Sequence, residues 1–170
     1  MSRIRFDVPL VPQAETRTCW YASAQMLLAW RDRQLSRSLP PGAPILDTAF
    51  DEGVNKANER IHLHSFINFA SALGLRLTNG PLNPDNLVVR LAYCGPMLYT
   101  GRVNGWGNYI SLVGNAHCVV ITGFESRGGS ARIWVNDPSP SKMGTAWEVS
   151  FDHLIRNLPW NGFPIAYARV

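Results

Sequence analysis

Apolar side chains recur every three or four positions through much of the first half of the chain and gather into short, nearly continuous runs in the second. In TCWYASAQMLLAW (residues 18–30), Cys19, Ala22, Ser23, Met26 and Trp30 fall at helical spacing, and Thr16 or Thr18 can cap the start. A helix is predicted there, with Cys19 in its first turn. Ahead of it, the two prolines of VPLVPQ (residues 8–13) forbid a helix interior and predict an extended lead-in. Leu63, Phe66, Ile67, Ala70 and Leu73 predict a second helix over residues 63–73, stopped by Gly74. A third runs from about Asn83, with Pro84 in its first turn, through Leu87, Leu91 and Ala92 to Gly95. Between the first two, LPPGAP (residues 39–44) reads as a loop, and residues 45–60 as a short helix or an irregular excursion.

After Gly95 the pattern turns to β. Runs rich in branched and aromatic residues occupy Pro96–Gly101, His117–Phe124, Ala131–Asp137 and Ala166–Val170, separated by Gly, Asn and Ser clusters. The expected fold is α+β: a helical N-terminal part, about residues 14–95, packed on an antiparallel C-terminal sheet, about residues 96–170. The 170 residues suit a single domain that buries about 70% of its unfolded surface and folds without a partner. A cleft between the two parts is the natural place for a site.

Composition narrows the function classes. With 46% hydrophobic and 16% charged residues, and Gly and Pro dispersed, neither disorder nor a repeat array fits. MSRIRFDVPL lacks the apolar run of a Sec signal, and nowhere do about 18 apolar residues follow one another, so no membrane span is expected. The net charge of +4 comes from scattered arginines such as Arg3, Arg5, Arg17, Arg31, Arg33 and Arg37, without interleaved aromatics, which argues against nucleic-acid binding. Cysteines 19, 94 and 118 are odd in number and never spaced as CxxC. That excludes a disulfide framework and a structural zinc site, and suits a reducing compartment. His62 and His64 form HxH, but no third ligand stands at recognisable spacing, so neither metal nor cofactor is expected.

Cys19 is the residue on which chemistry can be built. Attack on a carbonyl needs a thiolate, and an ordinary cysteine, with pKa about 8.5, is only slightly ionised at neutral pH. A helix N-terminus and a neighbouring imidazolium both favour the anion. A lone cysteine is otherwise a small buried hydrophobe. Gln13 lies six residues upstream, and the CW pair is followed by small residues at Ala22, Ser23 and Ala24. Here the sequence resembles papain-like cysteine proteases, especially compact bacterial ones deployed as secreted effectors. The resemblance implies that Gln13 donates its side-chain amide to an oxyanion hole, together with the main-chain N–H of Cys19, in a site needing no metal.

Two further motifs follow in the order the resemblance requires. In NAHCVVITGF (residues 115–124), His117 opens an apolar strand, shares a face with Val119 and Ile121, and stands where such enzymes carry the catalytic histidine. Cys118 points to the opposite face and reads as core, and Cys94 as packing at a helix end. In ARIWVNDPSP (residues 131–140), alternation allows only one of Asn136 and Asp137 to reach His117. Asp137 is favoured because Pro138 ends the strand beside it and leaves the carboxylate at an edge. Papain itself uses asparagine, so Asn136 stays a competitor. GRVNGWGNYISLVGN (residues 101–115), centred on Trp106, reads either as a flap over the site or as a hairpin loop.

The reading is therefore a cysteine endopeptidase with a Cys19–His117–Asp137 triad, working on proteins as a monomer. Transglutaminase-like enzymes, peptidoglycan amidases and deubiquitinase-like isopeptidases share parts of the set, and Gln13 favours the papain arrangement. An inactive binding module would gain nothing from keeping all four residues. The chain looks like a bacterial toxin delivered by a dedicated secretion apparatus and neutralised in its producer by an immunity protein that covers the cleft. A cytoplasmic housekeeping protease is the runner-up.

Overall fold

The computed structural model describes residues 2–35, 61–106 and 115–168. In chain order the elements are β1 (Ser2–Arg5), α1 (Cys19–Gln34), α2 (Leu63–Ala72), β2 (Arg76–Thr78), α3 (Pro84–Cys94), β3 (Met97–Arg102), β4 (Ala116–Arg127), β5 (Ser130–Asp137), β6 (Thr145–Ser150), α4 (Phe151–Asn157) and β7 (Ile165–Tyr167). The fold is α+β, with every strand pairing antiparallel. None of the helices among the described residues is long and apolar enough to cross a membrane.

The sheet runs β2-β7-β3-β4-β5-β6. β4 is long enough to serve two partners along one edge, β3 beside residues 116–121 and β1 beside residues 123–126. A register shift between Ile121 and Gly123 lets β4 bend between them. A Cβ at Gly123 would lie 2.7 Å from the Ile4 carbonyl oxygen, so the crossing of β1 over the bulge needs glycine.

Strand alternation divides the interior between two faces. Cys118 and Val120, with Leu98 and Ala166, pack under Met26, Leu27 and Trp30 of α1 and Phe66 and Ala70 of α2. Val119 and Ile121, with Tyr99, Ile133 and Val135, pack against Leu87 and Leu91 of α3 and Leu154 of α4. The helix entries have local causes. Asn83 caps α3 through a reciprocal pair, its Oδ1 accepting from Asn86 N–H at 2.8 Å and its own N–H donating to Asn86 Oδ1 at 2.9 Å, and Pro84 follows at the first position. Ser150 caps α4 by accepting from His153 N–H.

The division of the chain into a helical front and a β rear holds only in outline. β1 and β2 come from the front half and join the sheet, while α4 sits in the rear half. The readings for residues 39–44 and 45–60 lie outside the described residues, as does most of the segment read as a flap.

Candidate active site

The approach to α1 shapes the setting of Cys19. Thr18 occupies the N-cap position, but its hydroxyl makes no hydrogen bond to the helix. Instead it donates to the Glu15 carbonyl at 3.1 Å and accepts from Glu15 N–H at 3.3 Å, closing the turn before the helix. Thr18 thus gives α1 no side-chain cap, and no acidic residue stands in the first turn. The partial positive charge of the helix end lies beside Cys19. Ser23, one turn on, donates to the Cys118 carbonyl at 3.3 Å and ties α1 to the start of β4.

His117 pairs in register with Gly101, where a Cβ would run into the Leu158 backbone. Its Nε2–H donates to Asp137 Oδ1 at 2.8 Å, with the histidine 5% and the aspartate 1% exposed. Asp137 Oδ1 also accepts from Ser139 N–H at 2.9 Å, and Oδ2 accepts from the Trp106 indole N–H at 2.8 Å. Asn136 leaves from the other face of β5, where its amide donates to the Val8 carbonyl at 2.9 Å. Cys19 and His117 stand on one cleft of about 640 Å³, whose walls include Arg17, Trp20, Val103 and Phe163.

A cysteine at a helix N-terminus, a histidine on the facing strand and a carboxylate behind the histidine can carry out acyl transfer. The family described as papain-like cysteine protease AvrRpt2 matches residues 2–156. The chain belongs to that family. It is a papain-like cysteine protease, a hydrolase of peptide bonds. A search of curated proteins returns no match to it.

The electrostatics of the protease favour an ion pair. A hydrogen bond from the Cys118 thiol, then the hydrogen bond and charge of His117 and the Cys118 backbone N–H, hold the Cys19 thiol well below its usual range against the cost of burial. Burial pushes His117 toward the neutral form, but the charge and hydrogen bond of Asp137, with those of Cys19, overcome it and raise its pKa to about 10. The Cys118 thiol is pushed up by its hydrogen bond to Cys19, by burial and by the Cys19 charge. These directions favour the thiolate–imidazolium pair of Cys19 and His117, with Cys118 kept as the thiol.

These directions fix a pH dependence. Alkylation of Cys19 by iodoacetamide should stay level through neutral pH and fall only in acid, as the thiolate protonates through its depressed pKa. In Cys118→Ala the largest lowering influence is gone, so the acid limb should move to higher pH, whereas Cys118→Ser, which keeps a donor, should hold it near wild type. Alkylation rates followed by mass spectrometry across the acid and neutral range check this.

Gln13 is buried and clamped to the segment after β5. Its N–H donates to the Pro138 carbonyl and its carbonyl accepts from Lys142 N–H, each at 2.8 Å. Its Nε2 donates to Ser141 Oγ at 3.3 Å, and among the described residues Oε1 has no hydrogen-bond partner. It is not among the residues that line the cleft. His62 lines the cleft, whereas the His64 ring pairs with Asn68 at 3.2 Å on the surface. Among the described residues no cluster of three or more His, Cys, Asp or Glu could hold a metal ion.

Two residues near the chemistry carry more than the sequence suggested. Cys118 is buried, with Thr100 Oγ1 3.3 Å from its sulfur, and it is also a neighbour of Cys19. It packs with Val120 on the face that α1 covers, and with His117 it reaches the cleft beside Cys19. Trp106, the centre of the supposed flap, is 1% exposed and packed in the core beside His153 and Trp147. No local pattern in the sequence points to its bond with Asp137, 31 residues away.

Proposed function

We propose that this protease is an endopeptidase in which Cys19 is the nucleophile, His117 its acid and base, and Asp137 the residue that orients the imidazole. The two parts of the chain act as one domain, and the target is a protein inside another cell. The reading is carried by the 2.8 Å bond between His117 Nε2 and Asp137 Oδ1, which commits one ring nitrogen to the carboxylate and leaves Nδ1 for Cys19.

The steps follow from these roles. The Cys19 thiolate attacks the peptide carbonyl carbon, and the developing oxyanion is met by the Cys19 N–H; the resemblance adds the Gln13 side-chain amide, whose Nε2 would have to leave Ser141 Oγ to reach it. His117 gives its Nδ1 proton to the leaving amine, so the C–N bond breaks and an acyl-enzyme remains. The now neutral imidazole takes a proton from water, the hydroxide attacks the thioester, and the thiolate leaves as the acid is released. Asp137 stays ionised throughout and stabilises the imidazolium in each half.

The effector role is supported by the resemblance of residues 8–30 and by a cleft that keeps both Cys19 and His117 on its wall. A protease whose thiolate forms in the folded chain must be restrained where it is made, and an immunity protein seated over the cleft would do so. Expression in the cytoplasm of a bacterium lacking that inhibitor should arrest growth, and Cys19→Ala or His117→Ala should lift the arrest. New N-termini found by mass spectrometry with wild type but not with Cys19→Ala would name the substrate. Greater toxicity in the periplasm, with release of peptidoglycan fragments, would overturn the proposal in favour of an amidase. No toxicity in either compartment would favour a housekeeping protease.

A further inference from the structure

Three donors converge on the Asp137 carboxylate, and their division between its oxygens is uneven. Oδ1 takes both His117 Nε2–H and Ser139 N–H, while Oδ2 takes the indole N–H of Trp106. A carboxylate accepts on both atoms, whereas an amide of the same shape accepts on one and donates from the other. An asparagine here could serve His117 and Ser139 with its oxygen, but its NH₂ would then meet the Trp106 N–H, donor against donor, in a buried site. Turning the amide over would set the NH₂ against His117 and Ser139 instead.

We propose that Trp106 is a positioning residue for the catalytic histidine: its indole N–H fixes the rotation of the Asp137 carboxyl group and restricts that position to a carboxylate. This rests on the triad reading given above. Trp106 is well held for the task. Its ring lies 5.7 Å from that of His153 on α4 and 6.4 Å from that of Trp147 on β6. It follows β3 by four residues, just beyond Val103 on the cleft wall. It acts through Asp137.

The test is a double-mutant cycle read with p-nitrophenyl acetate, a small activated ester that acylates a thiolate without peptide recognition. Its steady-state turnover then reports hydrolysis of the acyl-enzyme, the half-reaction in which His117 must be oriented toward water. Trp106→Phe keeps the ring and removes the N–H, and should lower kcat about tenfold with kcat/KM, which reports acylation, little changed. Asp137→Asn alone should lower kcat by about 100-fold or more. In the Trp106→Phe background the same asparagine meets no opposing donor, so its further cost should shrink by about tenfold. A merely structural tryptophan would give the same Asp137→Asn cost in both backgrounds, and that result overturns the proposal.

If Trp106→Phe does not fold, benzothienylalanine at position 106, which replaces the N–H by sulfur in a ring of the same outline, makes the same comparison. An Asp137→Asn protein as active as wild type, or a wild type without Cys19-dependent turnover, would overturn the triad reading itself. A damaging Asp137→Asn with a harmless Trp106→Phe would remove only the role assigned to Trp106.

Discussion

Cys19→Ala is expected to abolish proteolysis, by at least about 10⁴-fold, in a protein that remains folded. The loss is large because the remaining thiol among the described residues on the cleft, Cys118, is buried, and with Cys19 gone burial alone still keeps it neutral. The cost to folding is small, because removing one sulfur from the first turn of α1 leaves a small cavity beside an open cleft. Removing the thiolate also withdraws one of the groups that hold His117 protonated, so the His117 pKa should fall from about 10 while Asp137 keeps it above its ordinary value. Loss of activity on a labelled protein substrate, an unchanged circular dichroism spectrum and a lower His117 pKa by NMR are the expected set. In wild type, an epoxide or iodoacetamide should reach Cys19 far ahead of Cys94 and Cys118. Preferential labelling of either other cysteine would sink the assignment.

What the sequence disclosed and what it hid divide along physical lines. α1, α2 and α3 repeat their apolar residues over about three turns or more, and α3 adds a polar cap, a proline and a closing glycine, so local pattern suffices for them. β4 and β5 sit in the core, and their runs of branched residues stand out for that reason. β1 has a single apolar residue, Ile4, and becomes a strand only because β4 bends to receive it. β6 is an edge strand with most of its side chains exposed, and α4 spans only seven residues. The same limit applies to the site. Cys19, His117 and Asp137 carry local marks, a helix start, a strand start and a strand end before proline, whereas the spacing that singled out Gln13 belongs to a residue off the cleft wall. Trp106 and the Cys118–Cys19 pair depend on which element covers which face of the sheet, and that is decided by tertiary packing.

The neighbours Asn136 and Asp137 offer a comparison in which stability and catalysis should separate. Asp137→Ala is expected to lower turnover by about 10²- to 10⁴-fold, because His117 loses both the bond that orients it and much of the charge that keeps it protonated. The same change leaves Ser139 N–H and the Trp106 indole without their acceptor, so it should also lower the melting temperature. Asn136→Ala removes the bond to the Val8 carbonyl on the opposite face of β5 and exposes no catalytic group. It should cost about 1–2 kcal/mol of stability through the strand and the segment leading to Gln13, while turnover of the folded protein stays within a few-fold of wild type. The measurement pairs thermal melts with turnover at a temperature where both variants are folded. If Asn136→Ala proved the more damaging to turnover, the amide would be the group that orients His117 in the working enzyme. The alternation of β5 would then have to reverse, exchanging the Val8 and His117 contacts of the two side chains, and the Asp137–His117 bond would be absent from the active state.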